Sequence, residues 1–147
     1  MNNYYEHLIS KYRFRFMDER LTPLGLSGPL GFYLMKIDQH SSIKMNDLMA
    51  MTPYHKSHGT RVIQKLLTMK LIDKIPDPED LRAFIITITP LGSTKAMQVK
   101  QTQLDWEKLV HEALTDEENA LYLALTKKTY HYLKSYFNED VSDEKTV

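Results

Sequence analysis

The 147-residue chain contains no cysteine, which excludes disulfide bridges, cysteine-ligated zinc, iron–sulfur clusters and thiol-based redox sensing. Only five glycines occur, and there is no phosphate-binding glycine loop, HExxH or GxSxG motif. The sequence therefore predicts a protein that is not an enzyme and has no cofactor. A long apolar run is also missing, and charges interrupt the first residues where a signal peptide needs an apolar stretch. We expect a cytoplasmic protein with no membrane partner.

The chain also lacks a net charge, because its 19 basic and 19 acidic residues cancel. Bulk attraction to nucleic acid is therefore excluded, and any basic surface has to be local. Residues 53–74 do concentrate positive charge, with five basic residues against Asp73 alone. The last ten residues, 138–147, hold four acids and one lysine and are predicted to form a flexible acidic tail.

The spacing of apolar residues predicts four helices in the first part of the chain. Residues 4–21 carry apolar side chains three and four positions apart, and Ser27 is placed to cap a second helix. A short third helix is predicted around residues 47–51. Thr52-Pro53 combines an N-cap residue with a proline at the first helical position, so the fourth helix is predicted from Pro53 to about Lys70.

From Leu71 onwards the apolar residues no longer follow the helical spacing of three and four positions. A polar turn containing proline, at residues 76–80, separates two β-rich segments and predicts a hairpin. Thr89-Pro90 repeats the cap-and-proline signal before a long helix, and Thr115 with Glu118 fits a capping box for the last helix. We therefore predict a mainly α fold with a small β-hairpin (α+β). The order is that of a winged helix-turn-helix, with the fourth helix in the major groove and the hairpin as its wing.

The fourth helix is the candidate recognition helix. Its first half is poor in apolar residues and rich in hydrogen-bond donors, as a helix facing a DNA groove requires. The residues predicted to contact DNA are Lys56, Ser57, His58, Thr60 and Arg61. Gly59 costs about 1 kcal/mol of helix stability relative to alanine and would allow close approach to another backbone or to DNA. The same pattern also fits a solvent-exposed helix face.

This region contains a series of short motifs whose spacing is not interrupted by an insertion or deletion. It comprises Asp47-Leu48-Met49, Thr60-Arg61, Leu66, Leu71-Ile72-Asp73-Lys74, Asp80-Leu81-Arg82 and Ile88-Thr89-Pro90-Leu91-Gly92. In order and spacing this series resembles the MarR family of bacterial winged-helix regulators. The chain departs from the family pattern at five places, namely Thr52-Pro53 (leucine-glycine in the family), His55 (a serine cap), Gly59 (valine), Lys70 (glycine) and Lys74 (arginine).

The resemblance implies a homodimer whose first, fifth and sixth helices intertwine and whose two recognition helices enter successive major grooves. It divides the single domain into dimerisation helices at residues 1–26 and 90–137 and a winged module at residues 28–89. The apolar content of the terminal helices supports this division, since it exceeds what a small module needs to cover. Folding of the long helices back onto their own module is the alternative.

The hairpin tip and a nearby pocket complete the predicted sites. Arg82 is predicted to contact the minor groove or its phosphates, with Asp80 orienting it or bracing the turn. The alternative for Arg82 is a weak surface ion pair with Asp80 or Glu79. The resemblance also suggests a small-molecule pocket beside the winged module, where the first helix, the second helix and the start of the fifth meet. Its candidate lining residues are Tyr12, Phe16, Tyr33 and Met97, for which plain core or dimer interface is the alternative.

Histidine spacing does not predict a metal site. His55 and His58 lie three positions apart on one helix, but two ligands without a nearby carboxylate are too few. Taken together, the sequence predicts a transcription repressor that binds a pseudo-palindromic operator in double-stranded DNA as a homodimer and is released by a small apolar or aromatic acid. The alternatives are a winged-helix protein-interaction module that no longer binds DNA, and a metal-dependent hydrolase.

Overall fold

In the computed structural model, residues 4–52 and 54–138 are described, and the chain divides after Trp106 into two compact units. Six α-helices, one short 3-10 helix (Thr22–Leu24) and three strands occur in the described residues. In chain order the α-helices and strands are α1 (Tyr4–Leu21), α2 (Gly28–His40), β1 (Ser42–Lys44), α3 (Met45–Ala50), α4 (Lys56–Thr68), β2 (Ile72–Pro76), β3 (Phe84–Ile88), α5 (Pro90–His111) and α6 (Asp116–Tyr136). The predicted α+β order is therefore confirmed, and the predicted acidic tail lies outside the described residues except for Asn138.

Three of the predicted helix starts are confirmed by their hydrogen bonds. The Ser27 side chain accepts from the Leu30 N–H at 3.4 Å and caps α2. At the start of α5, the Thr89 hydroxyl accepts from the Gly92 N–H at 3.0 Å. At the start of α6, the Glu118 N–H donates to the Thr115 hydroxyl at 3.3 Å, while the Glu118 carboxylate accepts from the Thr115 N–H at 2.8 Å. These caps satisfy backbone donors that have no partner within the helix.

The predicted start of the fourth helix is wrong. Helix α4 begins at Lys56, and its N-cap is His55, whose Nδ1 accepts from the Ser57 N–H at 3.3 Å. Thr52, the predicted cap, instead donates its hydroxyl to the Met49 carbonyl and accepts from the Tyr33 hydroxyl, both at 3.1 Å. Tertiary bonding to α2 and α3 thus replaces the capping role of Thr52. Pro53, the predicted first residue, lies outside the described residues.

The sheet has one strand more than the predicted hairpin. Strand β3 lies in the centre and pairs antiparallel with both β1 and β2. In the register of β1 with β3, Ile43 lies opposite Ile86. Both side chains are buried in the core. A three-residue strand is too short to show the alternation that predicts strands, which is why the sequence did not indicate β1.

The core of the first unit fixes the helix-turn-helix on this sheet. Leu34 and Ile37 of α2, Leu48 of α3, Leu66 of α4 and Ile86 of β3 are all fully buried. Burying an aliphatic side chain of this size stabilises the fold by about 1.5–3 kcal/mol. The apolar face of α4 is therefore held inward, and the opposite face of the same helix is left to solvent.

Helix α4 ends in a left-handed turn at Lys70. The Lys70 N–H donates to the Leu67 carbonyl at 2.9 Å and the Leu71 N–H donates to the Leu66 carbonyl at 3.0 Å. This is the Schellman motif, in which the residue after the C-cap adopts positive φ. Lys70 has a φ of 57°, although glycine is the residue that adopts this conformation without strain.

Replacing Lys70 by glycine is therefore expected to stabilise the protein. Relief of the left-handed strain outweighs the larger entropy of the unfolded glycine chain, leaving a net gain of about 0.5–1 kcal/mol in the free energy of unfolding. Urea unfolding of the two proteins measures this gain. The control is Lys65→Gly in the exposed interior of α4, which should cost about 1 kcal/mol. Equal losses in both variants would contradict the strain at Lys70.

In the second unit, helix α6 leaves many large apolar side chains exposed within the single chain. They are Leu121, Tyr122, Leu123, Leu125, Tyr130, Tyr132, Leu133, Tyr136 and Phe137. No helix in the described part of the chain is long and apolar enough to cross a membrane.

Candidate nucleic-acid interface

Helix α4 separates its residues into a buried side and a polar side. Gly59, Val62, Ile63 and Leu66 are buried. The opposite side carries only exposed polar residues, at positions that repeat every four residues, and we call it the polar stripe. The polar stripe consists of Lys56, Ser57, Thr60, Arg61, Gln64, Lys65 and Thr68. Because α4 contains no acidic residue, the stripe presents three positive charges without a compensating one on the same helix.

Hydrogen bonds to the helix backbone orient several side chains of the stripe. The Thr60 hydroxyl donates to the Lys56 carbonyl at 3.0 Å, and Arg61 Nε donates to the Ser57 carbonyl at 3.4 Å. The two terminal nitrogens of the Arg61 guanidinium are not used in this bond. They can therefore donate two parallel hydrogen bonds to a base edge or a phosphate.

Four of the five predicted recognition-helix residues lie on the polar stripe, and His58 does not. Its ring is half-buried and lies against the ring of Tyr54, with the centroids 4.7 Å apart. Gln64, Lys65 and Thr68 belong to the stripe but were not among the predicted residues. The four-residue spacing from Thr60 and Arg61 would have identified them.

Gly59 faces the protein interior. A Cβ atom at this position would overlap the Met49 sulfur and would lie 2.8 Å from the Tyr33 hydroxyl. The glycine therefore allows α4 to cross close to side chains of α2 and α3. The prediction that Gly59 permits a close approach to DNA or to another backbone is wrong, because its free side points into the core.

The wing is formed by β2, β3 and the turn between them, and Asp80 braces that turn. The Asp80 carboxylate accepts from the Arg82 N–H at 3.0 Å, and the Asp80 carbonyl accepts from the Ala83 N–H at 2.8 Å. Asp80 thus holds the backbone of Arg82, while the Arg82 side chain is exposed. Within residues 4–52 and 54–138, its guanidinium forms no ion pair.

The sequence did not indicate the second element that fixes the wing, an ion pair between β1 and the turn. Lys44 Nζ lies 3.2 Å from a carboxylate oxygen of the buried Asp77 and 3.7 Å from the Glu79 carboxylate. The Glu79 N–H donates to Asp77 Oδ1 at 3.0 Å. This hydrogen bond, and then the Lys44 ammonium, lower the pKa of Asp77 against the opposing effect of its burial. The hydrogen bond and charge of Asp77 raise the pKa of Lys44.

The pKa of Asp77 predicts a specific acid sensitivity. Since its pKa is lower in the folded protein than in the unfolded chain, Asp77 contributes stability above about pH 4 that is lost as the pH falls through the folded pKa. Asp77→Asn keeps an oxygen acceptor for the Glu79 N–H but removes the charge. We therefore expect the variant to be less stable at pH 7 and to lose less stability than the wild type between about pH 4 and pH 2.

Urea midpoints measured over this pH range test the prediction. Asp73→Asn, which removes an exposed carboxylate of β2, is the control and should follow the wild-type profile. If the wild type and Asp77→Asn lost equal stability as the pH falls from about 4 to about 2, the result would contradict the role of the ion pair.

A groove of about 710 Å³ lies beside the winged module in the first unit. It is formed by α1, the start of α2, Tyr54 and a residue of α5. Its lining residues are Ser10, Arg13, Phe14, Arg15, Met17, Asp18, Ser27, Gly28, Pro29, Phe32, Tyr54 and Gln103. Like the predicted pocket, the groove lies beside the winged module at α1 and α2, but it meets α5 at Gln103 rather than at the start of that helix, and its lining side chains are different.

The four predicted pocket residues lie elsewhere in the first unit. Tyr33 is fully buried and bonds to Thr52, and Phe16 packs edge-on against Trp106 at 5.4 Å between centroids. Tyr12 and Met97 are exposed on α1 and α5. None of the four is among the residues that line the groove in the described structure. In the same part of the chain, no three histidine or carboxylate side chains come close enough together to hold a metal ion.

Three helices, a recognition helix with one polar side, and a three-stranded sheet with a braced wing define a winged helix-turn-helix protein. The MarR family profile matches residues 26–84, which cover this module from the start of α2 to the start of β3. Residues 26–84 of this chain are therefore similar to the MarR family. Transcriptional regulators of this family bind DNA and are not enzymes.

Comparison with known proteins agrees with this assignment. The chain is 29% identical over 103 residues to the HTH-type transcriptional regulator BilQ of Clostridioides difficile (strain CD3), covering 70% of each protein. The reduced form of MarR from E. coli superimposes with a TM-score of 0.77 at 23% identity, over 88% of this chain and 96% of that one. MepR from S. aureus, in its complex with DNA, gives 0.80 at 20% identity, over 90% and 98%. At these identities, the two structures establish the fold.

Proposed function

We propose that this chain is a cytoplasmic transcription repressor that binds a pseudo-palindromic operator in double-stranded DNA as a homodimer and is released by a small aromatic or apolar acid. The polar stripe of α4 carries this proposal. The stripe is an exposed row of hydrogen-bond donors without an acidic residue. The opposite face of α4 is buried in the core. Such a helix can insert into the major groove without exposing apolar surface, and its lysines and arginine can neutralise phosphates.

In this proposal the two parts of the module have different tasks. Lys56, Ser57, Thr60 and Arg61, near the start of α4, read base edges in the major groove, where a recognition helix contacts bases with its N-terminal residues. Arg82 extends from the braced wing towards the minor groove or its phosphates. The structure of MepR, which is a complex with DNA, supports the use of this fold for duplex binding.

The second copy covers apolar side chains that the single chain leaves exposed. On α1, Tyr5, Ile9 and Tyr12 are exposed, and α6 has the nine large apolar side chains named above. A stable monomer rarely presents so many. We propose that these helices form a two-fold symmetric interface, which also matches the two halves of a pseudo-palindromic operator.

Sedimentation tests the homodimer. At micromolar concentration, the protein is expected to sediment at about twice its chain mass of 17.2 kDa. Removing residues 115–147 deletes α6 and is expected to abolish both dimerisation and duplex binding. The control removes only residues 139–147 and should leave both intact. A monomer that binds a palindromic duplex tightly would contradict this architecture.

The groove beside the winged module is lined by side chains suited to binding an aromatic acid. Phe14, Phe32 and Tyr54 offer aromatic surface to a flat apolar ligand. Arg13 also lines the groove and has no ion pair with any described residue, whereas Arg15 already pairs with Glu19 at 2.8 Å. Asp18 also lines the groove and would repel an anion. We assign the ligand carboxylate to Arg13 because its guanidinium has no carboxylate partner among the described residues. Planar guanidinium groups bind carboxylates through two parallel hydrogen bonds.

Selection from a pool of random duplexes tests the proposed function as a whole. The protein is expected to enrich sequences with two similar half-sites about one helical turn apart, because two α4 helices must enter successive major grooves. Fusing an enriched site to a reporter promoter then tests repression. Failure to enrich any sequence would favour the protein-interaction module instead.

A further inference from the structure

The turn at the tip of the wing presents one large apolar side chain to solvent. Leu81 is 80% exposed, the highest value among the large hydrophobic side chains of the described residues. The Ala83 N–H donates to the Asp80 carbonyl at 2.8 Å, so Leu81 and Arg82 are the two central residues of a β-turn. Arg82 is also exposed. An apolar side chain and a guanidinium are therefore neighbours at the tip.

The backbone of this tip is held by bonds to the rest of the wing. The Asp77 N–H donates to the Ala83 carbonyl at 3.0 Å, and the Asp80 N–H donates to the Asp77 carbonyl at 3.2 Å. The buried Asp77 carboxylate is in turn fixed by Lys44 of β1 at 3.2 Å. Because these bonds order the backbone of Leu81 before any partner binds, placing its side chain against a surface costs little further conformational entropy.

The carboxylates nearest the tip are compensated within the wing. The Asp80 carboxylate accepts from the Arg82 N–H at 3.0 Å, and the Glu79 carboxylate lies 3.7 Å from Lys44 Nζ. Neither contact involves the side chain of Leu81 or of Arg82. The tip therefore offers one cation and one apolar side chain to a polyanion such as DNA.

We propose that Leu81 determines which base pairs the wing accepts, by excluding the exocyclic amino group of guanine from the minor groove. This inference rests on the proposed function, in which Arg82 reaches that groove. A·T and T·A pairs present only acceptors there, whereas G·C pairs add the N2 amino donor. A leucine over this donor removes its water without supplying an acceptor, and a donor left unsatisfied weakens binding. Leu81 thus favours A·T pairs beside each half-site.

Leu81 and Arg82 contribute to this preference in different ways. A guanidinium is attracted by the negative potential of a narrow minor groove, so the effect of Arg82 depends on groove shape. Leucine is uncharged, and its effect depends on the presence of a single chemical group. Apolar side chains, leucine among them, are used in the minor groove by several classes of DNA-binding protein. Base analogues that add or remove only the amino group separate the two effects.

The test uses the selected operator duplex with base analogues in the flank of one half-site. Diaminopurine adds the minor-groove amino group to an A·T pair, and inosine removes it from a G·C pair. Diaminopurine replaces each flanking adenine in turn, and fluorescence anisotropy gives the affinity. The wild type should bind about tenfold more weakly when the analogue lies under the wing. At that position guanine should weaken binding equally, and inosine should restore it.

Variants of the tip separate Leu81 from groove shape. Leu81→Ala should reduce the discrimination from about tenfold to less than about threefold, and Leu81→Met, which keeps an apolar side chain of similar size, should retain it. Arg82→Ala should weaken binding to both duplexes by similar factors and keep their ratio. Ile75→Ala, which removes another exposed apolar side chain of the wing, is the matched control and should leave the ratio unchanged.

Equal discrimination in Leu81→Ala and the wild type would overturn the proposal. So would a wild type that tolerates diaminopurine at every flanking position. Loss of discrimination in Arg82→Ala alone would assign the preference to groove shape and overturn the role of Leu81. In all three results the operator is still bound, whereas failure of the proposed function means that no duplex binds at any salt concentration, which overturns both. Thermal unfolding verifies that Leu81→Ala is folded, since so exposed a side chain contributes little to stability.

Discussion

Replacing Gly92 by alanine is expected to destabilise the protein by at least about 3 kcal/mol and to lower the thermal midpoint by about 10 °C. A Cβ atom at Gly92 would overlap the Leu71 carbonyl oxygen and would lie 2.8 Å from an Ile88 methyl group. The same carbonyl accepts the Thr89 N–H at 3.1 Å, so the backbone cannot retreat without breaking this bond. A backbone overlap cannot be relieved by a change of rotamer, which is why the expected cost is large.

Gly28→Ala is the matched control for this prediction. Gly28 is also a helical glycine near a helix start, but nothing lies within 4 Å of a Cβ atom placed there. Its substitution should change the free energy of unfolding by less than about 1 kcal/mol. Thermal and urea unfolding of both variants measures the difference. Similar midpoints for the two variants would show that α5 can move away from Leu71, contrary to the packing described.

The second large effect is expected on the polar stripe. Replacing Lys56 or Ser57 by alanine should cost about 1–3 kcal/mol per base contact on the selected operator and less on mismatched duplexes. Both residues lie in the first turn of α4, and a recognition helix contacts base edges with its N-terminal residues. Their loss should therefore change which bases are tolerated. Titrations on matched and mismatched duplexes measure both effects.

Arg82→Ala should behave differently, because the wing contacts backbone or groove shape. Binding to matched and mismatched duplexes should weaken by similar factors, and the salt slope should flatten by about one unit. Lys100→Ala, an exposed lysine on α5, controls for the general loss of one positive charge. If Lys56, Ser57 and Arg82 variants all bind like the wild type, the polar stripe is only a solvent-exposed face.

Local signals in the sequence predicted local structure well. Thr115 and Glu118 form their capping box because both partners lie within one turn, so the pattern alone determines the bonds. Thr52 carried an equally good capping signal and failed, because its hydroxyl bonds to Tyr33, 19 residues away. A single-sequence pattern cannot show that competition. Strand β1 was missed for a related reason, since only pairing with β3 makes its three residues a strand.

The candidate site was predictable to the extent that it follows helix periodicity. Lys56, Ser57, Thr60 and Arg61 share a face by spacing alone, whereas His58 turns towards Tyr54 through packing that the sequence does not encode locally. The groove is lined by residues from α1, α2 and α5 together with Tyr54. Aromatic residues at helical spacing, such as Phe16 and Tyr33, were equally good candidates until the packing of Trp106 and Thr52 against them was known.

The most direct test of DNA binding by the polar stripe is the salt dependence of binding to a selected palindromic duplex. Each copy presents Lys56, Arg61 and Lys65 on α4 and Arg82 on the wing. Release of counterions from the contacted phosphates should give a plot of log affinity against log salt with a slope of about −4 or steeper. A slope near zero, or no duplex binding at low salt, would contradict the account and identify the module as a protein-interaction domain.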